Sequence, residues 1–195
     1  DYGKASNIKA DFLGYTRDIN GVPNGPCKPL SEKWVITLST KYGCIQKCKF
    51  CSVPNIPFRG NVSFDDLKKQ LLSAIDLFPS VNYVERRNIH FARMGEPICN
   101  RDVFAFARWL YEQKGREFYF DTGLRVEVIH PVLTTSMPKK IKDIDQRLLD
   151  WAGIKNELYN GQAGLQLSIN STDDEQRDEM FAGGSMSLLQ IAATC

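Results

Sequence analysis

"YGCIQKCKFCSVP", residues 42–54, places Cys44, Cys48 and Cys51 within eight residues, while the other three cysteines, Cys27, Cys99 and Cys195, are scattered. The spacing is C-x3-C-x2-C. Structural zinc takes four ligands, usually as two separated Cys/His pairs. The remaining candidates here, Cys27, Cys99, Cys195, His90 and His130, form no close pair. An iron–sulfur cube takes four thiolates. Three thiolates from one loop would hold three irons and leave the fourth open to another ligand, which suits chemistry rather than pure electron transfer. Spacing and ligand count favour the cube, with zinc or a packed turn as the alternatives.

The rest of the chain sets the frame for that loop. Its 195 residues suffice for one sizeable domain, and 43% hydrophobic with 25% charged residues is ordinary globular composition. A net charge of +2 gives no whole-chain electrostatic footprint for nucleic acid, though it leaves room for a local basic patch. The sequence has no run of eighteen apolar residues and no signal pattern at "DYGKASNIKADFLGY". The expectation is a cytoplasmic protein without a membrane segment, where thiols stay reduced and a cysteine cluster points to metal or redox chemistry.

Residues 1–32, with "NGVPNGPCKP", predict a loop-rich extension, and residues 33–195 the main domain. "KWVITLST" (33–40) predicts a strand leading into the cysteines. "SFDDLKKQLLSAIDLF" predicts a helix capped by Ser63, with Leu67, Leu71, Ile75 and Phe78 on one face. "NIHFARM" (88–94) predicts a strand, and "RDVFAFARWLYEQK" a helix with Asn100 as cap and Gly115 as stop. "VEVIHPVLTT" (126–135) predicts a strand weakened by Pro131. "IKDIDQRLLDWA" predicts a helix with Ile141, Ile144, Leu148 and Trp151 inward, and "AGLQLSIN" (163–170) a fourth strand. "SMSLLQIAATC" predicts a last helix capped by Ser185 or Ser187, with Leu188, Leu189, Ile191 and Ala192 as its apolar face. Strand–helix alternation argues for an α/β fold with a parallel sheet, either a barrel or an open doubly wound sheet. In both, sites form at the C-terminal ends of strands.

"CIQKCKFC", with an aromatic before the last cysteine, resembles the signature of the radical S-adenosylmethionine (SAM) superfamily. The resemblance implies a [4Fe–4S] cluster on Cys44, Cys48 and Cys51 whose open iron binds the amino and carboxylate groups of SAM. Reduction then yields a 5′-deoxyadenosyl radical, and Phe50 lies beside the SAM adenine, unless it is simply a core aromatic. "MGEPICN", "VLTTSMPKKI" and "LQLSINSTDDEQRDEM" resemble successive motifs of the RlmN/Cfr group, which methylates adenine in ribosomal or transfer RNA. The match runs over about residues 33–180 and implies a partial parallel (β/α) barrel of radical SAM type, open and truncated. It implies SAM contacts at Gly95, Glu96, Ser168 and Asn170, and one at either Thr134 or Ser136. An RNA substrate and an electron donor such as flavodoxin or ferredoxin follow from the same resemblance. Arg93 and Asn170 stand where the group has a small residue and a histidine.

Taken singly, these motifs have ordinary readings. "GEP" is a turn, Ser168 and Asn170 end a strand, Thr134 and Ser136 cap a helix, and "DDEQRDE" is a solvated helix face. Two other functions remain open: a radical SAM enzyme acting on a peptide or small metabolite, and a non-catalytic iron–sulfur or zinc module. Four or five strands cannot close a barrel, and a crossover helix needs a following strand. The expectation is therefore that methyl transfer needs sequence beyond Cys195, and that Cys195 is not the methyl-accepting cysteine.

Overall fold

A computed structural model describes residues 29–113 and 122–195. Most of the expected extension, Cys27 and the expected helix stop Gly115 lie outside the described residues. In chain order the elements are β1 (Lys33–Leu38), β2 (Lys41–Tyr42), β3 (Gly60–Asn61), α1 (Phe64–Asp76), β4 (Tyr83–Phe91) and α2 (Arg101–Glu112). They continue with β5 (Arg125–Thr135), α3 (Ile144–Gly153), β6 (Gly164–Leu167), α4 (Asp174–Met180) and α5 (Leu188–Thr194). No helix among the described residues is long and apolar enough to cross a membrane.

The main sheet is parallel and runs β1-β4-β5-β6, so its spatial order repeats its sequence order. A doubly wound sheet reverses direction at a switch point, and this one does not. Trp34, Ile36 and Leu38 of β1, Ile89 and Phe91 of β4, and Ile129 and Leu133 of β5 share one apolar core with Leu67 and Leu71 of α1, Phe106 and Leu110 of α2, and Leu148 and Trp151 of α3. All three crossover helices thus cover one face, as in a segment of a (β/α) barrel. On the opposite face, Thr37, His90 and Val132 stand in register, only partly covered on β1 and β4.

Local signals explain most element ends. The Ser63 hydroxyl accepts from the Asp66 N–H at the start of α1, and the Asn100 side chain accepts from the Asp102 N–H at the start of α2. Ser187, not Ser185, caps α5 through a reciprocal capping box with Gln190. Six expectations need correction. The first strand ends at Leu38 rather than Thr40, and α1 ends at Asp76, leaving Phe78 outside it. The second strand begins at Tyr83 rather than Asn88 and ends at Phe91. β6 stops at Leu167, so Ser168 and Asn170 belong to the following loop. α3 starts at Ile144, leaving Ile141 outside it. On α5 only Ile191 is buried, while Leu189 is 78% exposed. Pro131 is tolerated inside β5 because pairing to β6 begins only at Val132, so that level has one neighbouring strand.

Candidate cofactor site

The cysteines sit on an excursion between β1 and α1 that is closed at its base. β2 and β3 pair antiparallel, Lys41 against Asn61. The fully buried Asn100 amide donates to the Thr40 and Val62 carbonyls, both at 2.8 Å, and so pins both stems while its own oxygen caps α2. The Thr40 and Lys41 N–H groups donate to the Met94 carbonyl, at 3.0 and 3.1 Å, tying the loop to the Gly95-Glu96-Pro97 turn after β4. At its far side the loop meets the end of α4. Lys49 N–H donates to the Met180 carbonyl at 2.8 Å, and the Phe50 and Phe181 rings meet edge-on, centroids 5.3 Å apart. β1 and β6 are opposite edges of the sheet, yet the loops that follow them touch. The C-terminal end of the sheet therefore curls round a cleft.

That cleft encloses about 190 Å³ and is open on one side. Every residue expected from the sequence as a ligand or contact lines it: Cys44, Cys48 and Cys51 on one wall with Phe50, then Gly95 and Glu96, Thr134 and Ser136, and Ser168 and Asn170. Phe50 is 54% exposed, which excludes the core-aromatic reading. Thr134 and Ser136 do not cap α3, whose N-cap position is Asp143. Asn170 has φ 63°, a left-handed conformation that Asn accommodates better than most side chains. Cys195 does not line the cleft.

Glu96 is the polar centre of the floor and only 4% exposed. Its Oε2 accepts from the Ser136 hydroxyl at 2.6 Å and the Ser136 N–H at 3.0 Å. Its Oε1 is buried and has no hydrogen-bond partner among the described residues. Burial holds its pKa above the ordinary carboxylate range, and the Ser136 bonds only partly oppose that. The three thiols also crowd one another. Burial, with Cys44 and Cys51 nearby, pushes Cys48 up to about 11, and burial pushes Cys44 up as well. Unassisted thiolates are thus disfavoured on that wall.

No protein-family model matches the chain. Over 168 residues it is 25% identical to the probable dual-specificity RNA methyltransferase RlmN of Chlorobium phaeobacteroides, covering 85% of this chain and 42% of that protein. It is 26% identical over 152 residues to the dual-specificity RNA methyltransferase RlmN of Aliarcobacter butzleri, covering 77% of this chain and 37% of that protein. It is 30% identical over 142 residues to the probable RlmN of Fervidobacterium nodosum, covering 72% and 34%. The chain is a partial relative of the RlmN proteins. It spans 34% to 42% of the length of these three relatives.

The residues present fit the two groups that this relationship implies. Among the described residues, no three Cys, His, Asp or Glu side chains converge where a single metal ion would sit. A cube takes each thiolate on a different iron, and Cys44, Cys48 and Cys51 border one cleft. The buried, unpartnered Glu96 Oε1 requires a donor, and an amino group of a bound ligand would supply one.

Two features of the floor were not read from the sequence. Gly95 has φ 101°, and a Cβ there would lie 2.6 Å from the Lys41 Cβ, so the glycine makes room for the Lys41 stem. Arg177 sits in the acidic run expected to be a solvated face, yet is 1% exposed. Its guanidinium donates to the carbonyls of Ser136 at 2.9 Å, Ser168 at 2.7 Å, Met186 at 3.0 Å and Ile169, and it stacks 4.6 Å from the Phe181 ring centroid. One buried cation thereby joins the loops after β5 and β6 and the stretch before α5. The sequence signal was faint: a lone cation amid acids, "DDEQRDE".

Proposed function

We propose that the chain carries the radical SAM part of an RlmN-like RNA methyltransferase, acting on adenine in ribosomal or transfer RNA in a reducing, cytoplasmic setting. The carrying observation is convergence: four motifs far apart in sequence bring ten expected residues into one cleft. In this reading Cys44, Cys48 and Cys51 hold a [4Fe–4S] cluster and leave one iron to SAM. When bound and reduced by an electron donor such as flavodoxin or ferredoxin, the cluster and SAM supply a 5′-deoxyadenosyl radical.

The chain's own residues bind and orient. Glu96 Oε1 accepts a hydrogen bond from the SAM amino group. Ser136 holds Glu96 through Oε2, so of the two candidates Thr134 is the better placed to meet SAM, its hydroxyl tied only to Gln166 at 3.3 Å. Ser168 and Asn170 border the ribose side, and Phe50 and Phe181 exclude water beside the adenine. Arg177 fixes the backbone on which Ser136 and Ser168 stand.

The test is anaerobic reconstitution with iron and sulfide, then SAM and reductant, with 5′-deoxyadenosine measured by mass spectrometry. Iron-dependent deoxyadenosine is expected, with Cys195 unmethylated. Stoichiometric zinc and no iron would sink the reading. Methylated adenine is read in the full open reading frame that contains this chain, and radical formation there without adenine methylation would move the substrate elsewhere.

A further inference from the structure

The cysteine excursion carries an outer surface that the cofactor reading does not use. Residues 41–62 contain Lys41, Lys47, Lys49 and Arg59 and no Asp or Glu. Lys41 is buried with its Nζ on Asn61, and Lys49 pairs with Glu179 at 3.0 Å. Lys47 and Arg59 are exposed and have no ion-pair partner among the described residues. The same segment carries aromatic rings that stand partly in water. Tyr42 is 44% and Phe58 46% exposed.

These rings are held rather than loose. The Tyr42 hydroxyl donates to Asp66 at 2.8 Å, and the Lys41 Nζ lies 5.4 Å from the Phe58 ring centroid. The Arg59 N–H donates to the Tyr42 carbonyl at 2.8 Å, so the segments that carry the two rings and Arg59 run side by side. Phe50, against Phe181, marks where the loop meets the cleft. Fixed rings with exposed faces, flanked by cations and no carboxylate of the loop's own, form a stacking platform with an anionic track.

We propose that this surface binds an unpaired nucleic-acid segment, with bases on Tyr42 and Phe58 and phosphates at Lys47 and Arg59, and so leads a nucleotide to the cleft. This rests on the RNA reading above. Charge complementarity favours that occupant over a second copy of the chain, whose same loop would bring like charges together. An acidic protein would satisfy the cations but would not need exposed rings at fixed positions.

The experiment is fluorescence anisotropy of a labelled single-stranded adenine/uracil RNA of about 12 nucleotides, within the usual site size, titrated with the chain at several salt concentrations. Phe58→Ala and Tyr42→Ala are expected to weaken binding about tenfold each. Lys47→Gln with Arg59→Gln is expected to reduce the slope of log affinity against log salt by about 1.4. Ring variants that bind like the parent, or a parent that binds no RNA, would overturn the proposal. So would a dimer that Phe58→Ala dissolves, which would assign the surface to a second copy. Deoxyadenosine formation without RNA, measured on the same preparations, separates the two readings. If it persists while ring variants bind normally, only the surface falls. If it is absent while binding behaves as expected, the surface stands and the cofactor reading falls.

Discussion

The two walls of the cleft are built in opposite ways. The floor, at the ends of β4, β5 and β6, is buried and held by hydrogen bonds: Arg177 to four carbonyls, and Ser136 twice to Glu96. The cysteine loop is pinned at its base by Asn100 and touches α4 at Lys49 and Phe50, but its thiols are free and Ile45, Phe50, Ile56 and Phe58 are exposed. The floor is held by protein bonds except at Glu96 Oε1. The order of the loop should instead depend on what the thiols hold. A preformed floor beside a ligand-dependent wall suits a site that orients one cofactor only after another is in place.

The largest effect should fall on that dependence. Cys48→Ala is expected to remove nearly all iron from anaerobically reconstituted protein, which otherwise holds about four per chain, while Cys99→Ala leaves it. Chelating the iron should speed tryptic cleavage at Lys47 and Lys49 many-fold and leave the floor resistant. Equal cleavage rates with and without iron would erase the contrast between the walls.

Next comes the floor itself. Arg177→Met removes a buried donor set and leaves several carbonyls unpaired, which should cost about 3 kcal/mol or more in urea unfolding. Arg177→Lys should recover only part, because an ammonium cannot span the same carbonyls. A loss below about 1 kcal/mol would mean that water replaces the clamp and the floor is not preformed.

What was legible in the sequence follows the same division. Ser63, Asn100 and the apolar repeat of α1 act over three or four residues, so they show in a linear reading. The cysteine spacing does too, because all three thiols fall within eight residues. The choice between a barrel and a doubly wound sheet was legible only through the family resemblance, not in the strand–helix alternation. Every crossover helix is apolar on one side, and which sheet face it covers is set by strand order. Arg177 was hidden because its partners come from Ser136, Ser168, Ile169 and Met186, and a charged residue among acids looks solvated. The need for glycine at position 95 was hidden too, because the space a side chain would take is filled by the Lys41 stem, far away in sequence.

A smaller change probes the cleft without disturbing either wall. Glu96→Gln keeps the shape and the Ser136 contacts but loses a charge-assisted bond, worth ~1.5–3 kcal/mol, or roughly tenfold to more than a hundredfold in SAM affinity. Iron content should hardly move. Equilibrium dialysis of labelled SAM giving the parent affinity would show that Glu96 faces no ligand amine.

The smallest effect is in pH, and it sets the cleft floor against the sheet face away from the helices. Glu96, on the floor of the cleft, has its folded pKa raised above 4.5 by burial. Between 4.5 and that raised value the folded chain keeps a proton that the unfolded chain has released. Its contribution to stability is therefore full below about pH 4.5 and is lost as pH rises through the folded pKa. His130, on that sheet face, has its pKa lowered to about 4, first by burial and then by Arg86, His90 and Lys33. Between about 4 and 6.5 the unfolded chain binds a proton that the folded chain does not, so this contribution is present above pH 6.5 and is lost as pH falls. The two therefore oppose each other wherever their windows overlap. Urea midpoints of the metal-free parent and of Glu96→Gln should differ in their slope against pH above 4.5, by no more than ~1.4 kcal/mol per pH unit, the limit for one proton. Glu96→Gln should remove the part that falls with rising pH and leave the acid limb of His130 intact. A parent and variant with superimposable midpoints throughout would show that burial does not raise the Glu96 pKa.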